Sequence, residues 1–134
     1  MATSITVLAA DAGKLLLRLA VGVLVLLHGM GKITGGAGFV VGLVEKAGLP
    51  GVLGYAVYVG EVLAPLLMIL GLWTRVAGLI VAANMAVAVL LVHMGDVARL
   101  TQGGGWALEL QAMFLFGALC VALIGPGRYA IMRS

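Results

Sequence analysis

Charge is scarce in this chain. Only 10% of its 134 residues are Asp, Glu, Lys or Arg, against about 25% in a typical soluble domain. With 63% hydrophobic residues and a mean hydropathy of +1.23, the chain cannot cover a water-facing surface. A soluble globular enzyme is thereby excluded, and residues 1–134 read as one integral membrane domain. Cysteine is nearly absent too: Cys120 stands alone, which rules out an intrachain disulfide or a CxxC couple. No CxxCH is present and no ligands cluster at zinc spacing, so no metal is expected. The two histidines leave a non-covalent haem open in principle, but nothing else favours one. Neither "GGAG" nor "GGG" matches a phosphate-binding loop, so no flavin or nucleotide is expected. The basic residues are dispersed, with no basic run, and the pI near 9.4 is not the footprint of a nucleic-acid partner.

What is present is a series of long apolar runs. Nothing alternates with period two, which excludes a barrel, and a helix needs roughly 20 apolar residues to cross the hydrocarbon core. Four spans fit, over residues 13–33, 52–74, 76–95 and 106–127. The first carries Arg18, His28 and Lys32 around the uninterrupted "LAVGVLVLL", and Arg18 is expected to snorkel to the interface. No convincing A-x-A site follows this run, so it reads as a retained span and not a cleaved signal. The fold class is therefore all-α, a four-helix transmembrane bundle in a lipid bilayer.

The connections differ in character. "WTR" is a tight turn, which makes the second and third spans antiparallel neighbours. The first connection holds Phe39, Val40, Leu43, Val44 and Ala47 at helical spacing. This predicts a short interfacial helix between the first two spans, over 38–47, closed by Gly48 and Pro50. "GDVARLTQGGGW" is polar and glycine-rich, and is expected to be mobile. Placing Lys14, Arg18, Arg75, Arg128 and Arg133 inside leaves Lys32, Lys46 and Arg99 outside. That bias predicts both termini in the cytoplasm and a location in the inner membrane.

With that orientation, His28, Lys32, Glu61, His93 and Glu109 all fall in the outer half of the bundle, one or more on each helix. Asn84 lies near mid-depth, and Tyr58 shares the face of Glu61, Pro65 and Met68. Pro65 leaves the Glu61 carbonyl without its helical donor, which predicts a kink beside the carboxylate. A charge at mid-bilayer costs about 2.5–3.5 kcal/mol, and holding a glutamate protonated at pH 7 costs about 3.7 kcal/mol. Pairing must therefore decide the state of Glu61. Lys32 or a histidine would hold it ionised, while Tyr58 or Asn84 would hydrogen-bond either form. A structural reading competes at every position: Glu61 and Asn84 as polar contacts between helices, and His28, Lys32 and Glu109 as wetted interfacial residues.

"RLAVGVLVLLHGMGK", "GLP", a lone Glu in the second span, "GLWTR", a late His on the third, "ELQ" and a terminal "GPGRY" occur in this order. Together they resemble the DoxX family of small four-helix membrane proteins. The chain departs from the usual pattern after "GPGRY", where "AIMRS" replaces Ser and an acidic residue. The resemblance implies that Arg18, His28, Lys32, Glu61, His93 and Glu109 matter. It also implies quinone chemistry: a DoxD-type subunit belongs to a thiosulfate:quinone oxidoreductase, and other relatives are tied to membrane oxidoreductase complexes.

Two functions follow. In the first, the chain is a quinone-linked subunit of a membrane oxidoreductase. Glu61, His28 and His93 then handle protons, and Lys32, Tyr58, Asn84, Glu109 and Arg18 hold the quinone. The electrons come from a separate soluble or membrane partner. In the second, it is a proton-coupled transporter or a lipid-binding accessory without enzymatic activity, working as a homo-oligomer, with Glu61 titrating against substrate.

Overall fold

The computed structural model describes residues 4–132. Arg133, counted above with the cytoplasmic charges, lies outside the described residues, as do Ser134 and the side chain of His93. Helix α1 runs over Ser4–Gly35, 32 residues, and starts well before the expected span. Nothing in "SITVLAADAGKLLL" breaks a helix, since the segment has no proline and a single glycine. The buried residues of α1 are Arg18, Val21, Gly22, Val25 and Gly29, one stripe at helical spacing.

Helix α2, Gly38–Lys46, is the short amphipathic helix expected in the first connection. Leu49 N–H donates to Val44 O at 3.2 Å and Gly48 N–H to Glu45 O at 3.0 Å. This is a Schellman closure, and Gly48 takes the left-handed φ of +84° that it requires.

Helix α3, Gly51–Leu70, changes its winding twice. It opens as a 3-10 helix over Gly51–Ala56, passes through a π turn at Val59–Leu63 and ends as an α-helix over Ala64–Leu70. The expected kink therefore takes the form of a π turn. Pro65 has no N–H for the Glu61 carbonyl, and the Ala64 N–H reaches past its usual acceptor to Val59 O. Gly71 closes α3 in the left-handed region, with Leu72 N–H on Leu67 O at 2.8 Å.

Helix α4 begins at Thr74. The turn is therefore Gly71–Trp73, two residues earlier than "WTR", and Thr74 and Arg75 already belong to the helix. α4 is α-helical to Ala88 and finishes in a second π turn, Val89–His93. Helix α5, Glu109–Ile124, has 16 residues and is shorter than the expected span. The connection before it carries hydrogen bonds of its own. Leu100 and Trp106 form an isolated antiparallel bridge, Thr101 N–H donates to Gly105 O at 2.6 Å, and the Trp106 indole donates to Val97 O at 2.7 Å.

Among the described residues helix is the only regular secondary structure apart from that bridge. Two segments, Gly51–Leu70 and Thr74–Val92, are long and apolar enough to cross a membrane. Helices α1, α3, α4 and α5 each pack on two others around one core that includes Val25, Met68, Val81, Met85, Phe114 and Val121. Small residues bring the backbones close: a Cβ on Gly78 would stand 2.7 Å from Ala118 O on α5. Large apolar side chains such as Leu16, Leu79, Met113 and Leu123 point outward, as a lipid-facing surface requires.

Candidate functional site

Glu61 sits in the π turn of α3 and is only 4% exposed. Both carboxylate oxygens accept hydrogen bonds from other helices. Lys32 Nζ, near the end of α1, lies 2.6 Å from Oε1, and Asn84 Nδ2, on α4, donates to Oε2 at 2.9 Å. The Tyr58 hydroxyl donates to the Lys32 carbonyl at 3.0 Å. That carbonyl lies in the last turn of α1, where the helix has no donor of its own for it. Tyr58 thus ties the end of α1, and with it the lysine, to α3.

Two glycines make this convergence possible. A Cβ at Gly29 would collide with the Glu61 carbonyl and stand 2.8 Å from Val62 Cγ2. A Cβ at Gly60 would stand 2.5 Å from Asn84 Cβ. Each partner of Glu61 therefore reaches it across a contact that only glycine permits. These glycines went unnoticed in the sequence, although "HGMGK" and "VGE" place each one beside or one turn from an ionisable residue.

Lys32, Glu61 and Asn84 form one wall of a cavity of about 600 Å³ between α2, α3 and α4. The remaining lining residues are apolar, with Phe39, Leu43 and Val44 of α2, Leu53 and Val57 of α3 and Ile80 of α4 among them. The site is a charge-paired polar spot in an otherwise apolar slot, which is how small-molecule sites fix orientation.

The other expected residues lie elsewhere. His28 shares the α1 face of Lys32 but packs edge-on against Phe114 of α5, with ring centroids 5.5 Å apart. Its Nδ1 lies 2.9 Å from Leu24 O, an oxygen that can only accept. Glu109 is exposed in the first turn of α5 and folds back over Gly105. His93 ends the π turn of α4, and its side chain lies outside the described residues.

Arg18 departs most from expectation. It does not snorkel, being 1% exposed. Its Nε donates to Met68 O at 3.0 Å, Nη2 to Ile69 O at 3.1 Å, and Nη1 to Pro126 O at 2.8 Å and Tyr129 O at 3.1 Å. The guanidinium closes the end of α3 and binds the "GPGRY" segment to it, far along α1 from Lys32.

The sequence profile of the DoxX family matches residues 13–94, more than half of the chain. The chain belongs to the DoxX family. No curated protein and no solved structure matches it. The matched region of this DoxX-family membrane protein covers Lys32, Glu61 and Asn84 and the whole of α2 and α3, and stops before α5 and "GPGRY".

Proposed function

We propose that this DoxX-family protein crosses the inner membrane four times, with both termini in the cytoplasm, and serves as the quinone-linked subunit of a membrane oxidoreductase. The observation that carries the reading is the cavity. It is lined by apolar residues, as a prenylated ring needs, and its side-chain hydrogen-bond donors are Lys32 and Asn84, gathered around Glu61. Lys32 Nζ has ammonium hydrogens beyond the one directed at Glu61 and donates to a carbonyl of the ring. Asn84 fixes the Glu61 carboxylate, which in turn holds the lysine in place. The quinone supplies the two-electron, two-proton couple, and a separate chain supplies the electrons. Glu61 exchanges the proton at the ring oxygen held by Lys32. His28, Glu109 and Arg18 carry no step in this reading. A cation exporter is less favoured, because Glu61 already has a lysine as counterion.

Two measurements test this reading. Purified protein in lipid nanodiscs is expected to retain decylubiquinone. Glu61→Gln should keep its helical circular dichroism and lose about tenfold or more in affinity, the equivalent of one charge-assisted hydrogen bond. Unchanged affinity in a folded variant would reduce Glu61 to a contact between helices. For topology, Cys120 is replaced first and single cysteines are introduced. A cysteine at Ala98 is expected to react with an impermeant maleimide added to intact cells, and one at Ser134 only after permeabilisation. The reverse pattern inverts the orientation and turns the cavity toward the cytoplasm.

A further inference from the structure

Several residues that line the cavity are at the same time open to the surroundings: Phe39 is 73% exposed, Leu53 50%, Val87 51% and Val59 43%. Val59 and Val87 belong to the two segments that are long and apolar enough to cross a membrane. The mouth of the cavity between α3 and α4 is thus apolar and lies along their length, with α2 beside it. The polar wall is different. Glu61 is buried, and its negative charge is matched at 2.6 Å by Lys32. The pair presents no net charge to a ligand, only spare ammonium hydrogens and the Asn84 amide.

We infer that the site is loaded sideways from the bilayer, through the opening between α3 and α4, and that it selects amphiphiles with an uncharged, hydrogen-bond-accepting head over those with an anionic head. This rests on the reading of the cavity as a ligand site and goes beyond it, because it assigns the entry route and the charge of the head group. An acyl or isoprenoid tail leaves lipid and enters an apolar mouth without crossing water. A neutral carbonyl then accepts from Lys32 and disturbs nothing. A carboxylate or phosphate head approaching the same hydrogens meets Glu61 as a like charge, in a setting that water screens little. The discrimination lies in Glu61, which cancels the attraction that Lys32 would otherwise exert on the abundant anionic lipids.

The test uses the full chain in phosphatidylcholine nanodiscs, with the photoreactive benzoylphenylalanine placed at Val87 in the mouth. A control places it at Met113, which is 69% exposed on α5 and lines no part of the cavity. Decylubiquinone and a neutral monoacylglycerol are the probes, and palmitate is the competitor. At least one neutral probe is expected to crosslink at 87 and not at 113, and palmitate is expected to compete at least tenfold more weakly than unlabelled neutral probe. In Glu61→Gln the lysine is left uncompensated, and the affinity of palmitate itself, read with the dissociation constant of the neutral probe measured in the same variant, should rise about tenfold. Equal crosslinking at the two positions overturns the lateral route. Palmitate competing as well as the neutral probe in the native protein overturns the selection, and that comparison does not depend on the variant folding. Crosslinking of monoacylglycerol without decylubiquinone supports the inference and removes the quinone reading. Decylubiquinone retained without crosslinking at 87 does the opposite.

Discussion

Replacing Arg18 with alanine is expected to cost this protein about 3–5 kcal/mol of stability, because several buried carbonyls lose their donor at about 1–3 kcal/mol each. The guanidinium satisfies four carbonyls, two in the last turn of α3 and two in the segment after α5. The α3 carbonyls stand where a helix runs out of internal donors and its dipole is negative, so a cation is favoured there twice over. Alanine leaves them without this donor and opens a side-chain-sized void. Arg18→Lys should recover only part of the loss, since an ammonium on a flexible stem cannot span four acceptors as a planar fork does. Equilibrium unfolding in mixed micelles reads both variants. A loss below about 1 kcal/mol for Arg18→Ala would mean that the carbonyls find other donors and that the clamp is incidental.

The second large effect belongs to Lys32 and Glu61, and it should be asymmetric. Lys32→Ala leaves a carboxylate that is 4% exposed with Asn84 as its remaining side-chain donor, and is expected to cost about 3 kcal/mol. Glu61→Ala leaves a lysine side chain that is 31% exposed. Its long stem can carry the charge toward the interface, so the cost should be nearer 1 kcal/mol. The double variant Lys32→Met with Glu61→Leu should be more stable than Lys32→Ala, because an apolar pair of similar volume replaces the ion pair without a desolvation cost. It should also fail to retain decylubiquinone. The cycle is closed with Lys32→Ala/Glu61→Ala; losses that simply add across it would show that the two side chains act independently, and would remove the basis for treating them as one site.

How much of this could be read from residues alone depended on the scale of the feature. The interfacial helix was legible because "GFVVGLVEKAGLPG" carries both its apolar spacing and its stop. Glu61 stood out because so few polar residues compete in these runs, and Lys32 and Asn84 were among its candidate partners. The choice between Lys32 and a histidine, and between Asn84 and Tyr58, was open until the helices were packed. Rotation about each helix axis was not legible. His28 and Lys32 are one turn apart, and four residues leave a residual rotation of about 40°. A long lysine reaches round that angle to α3, and a short imidazole settles on Phe114 instead. Glu109 was grouped with the others by its expected depth, but its position in the first turn of α5 lets it fold back over the preceding loop. Arg18 misled for a different reason. Snorkelling is what an isolated helix does with an arginine, and the acceptors that keep this one buried come from distant parts of the chain. The turn after α3 lies two residues earlier than "WTR" because Gly71 already supplies the left-handed closure of the helix, and Trp73, also left-handed, leads into α4.

The clamp also has a consequence in time. α1 is synthesised first, with its arginine already in place. Pro126 and Tyr129, which supply two of its acceptors, follow 108 and 111 residues later. At roughly 5–20 residues per second that interval is on the order of 5–20 s. Through it the guanidinium has only its two α3 acceptors, Met68 O and Ile69 O, which follow Arg18 by 50 and 51 residues. Its Nη1 must be satisfied by water or by lipid headgroups until the segment after α5 emerges. The order of translation thus makes docking of "GPGRY" the step that completes the clamp, and a chain truncated before Pro126 would keep α1 packed on α3 with half of the acceptors of Arg18 missing.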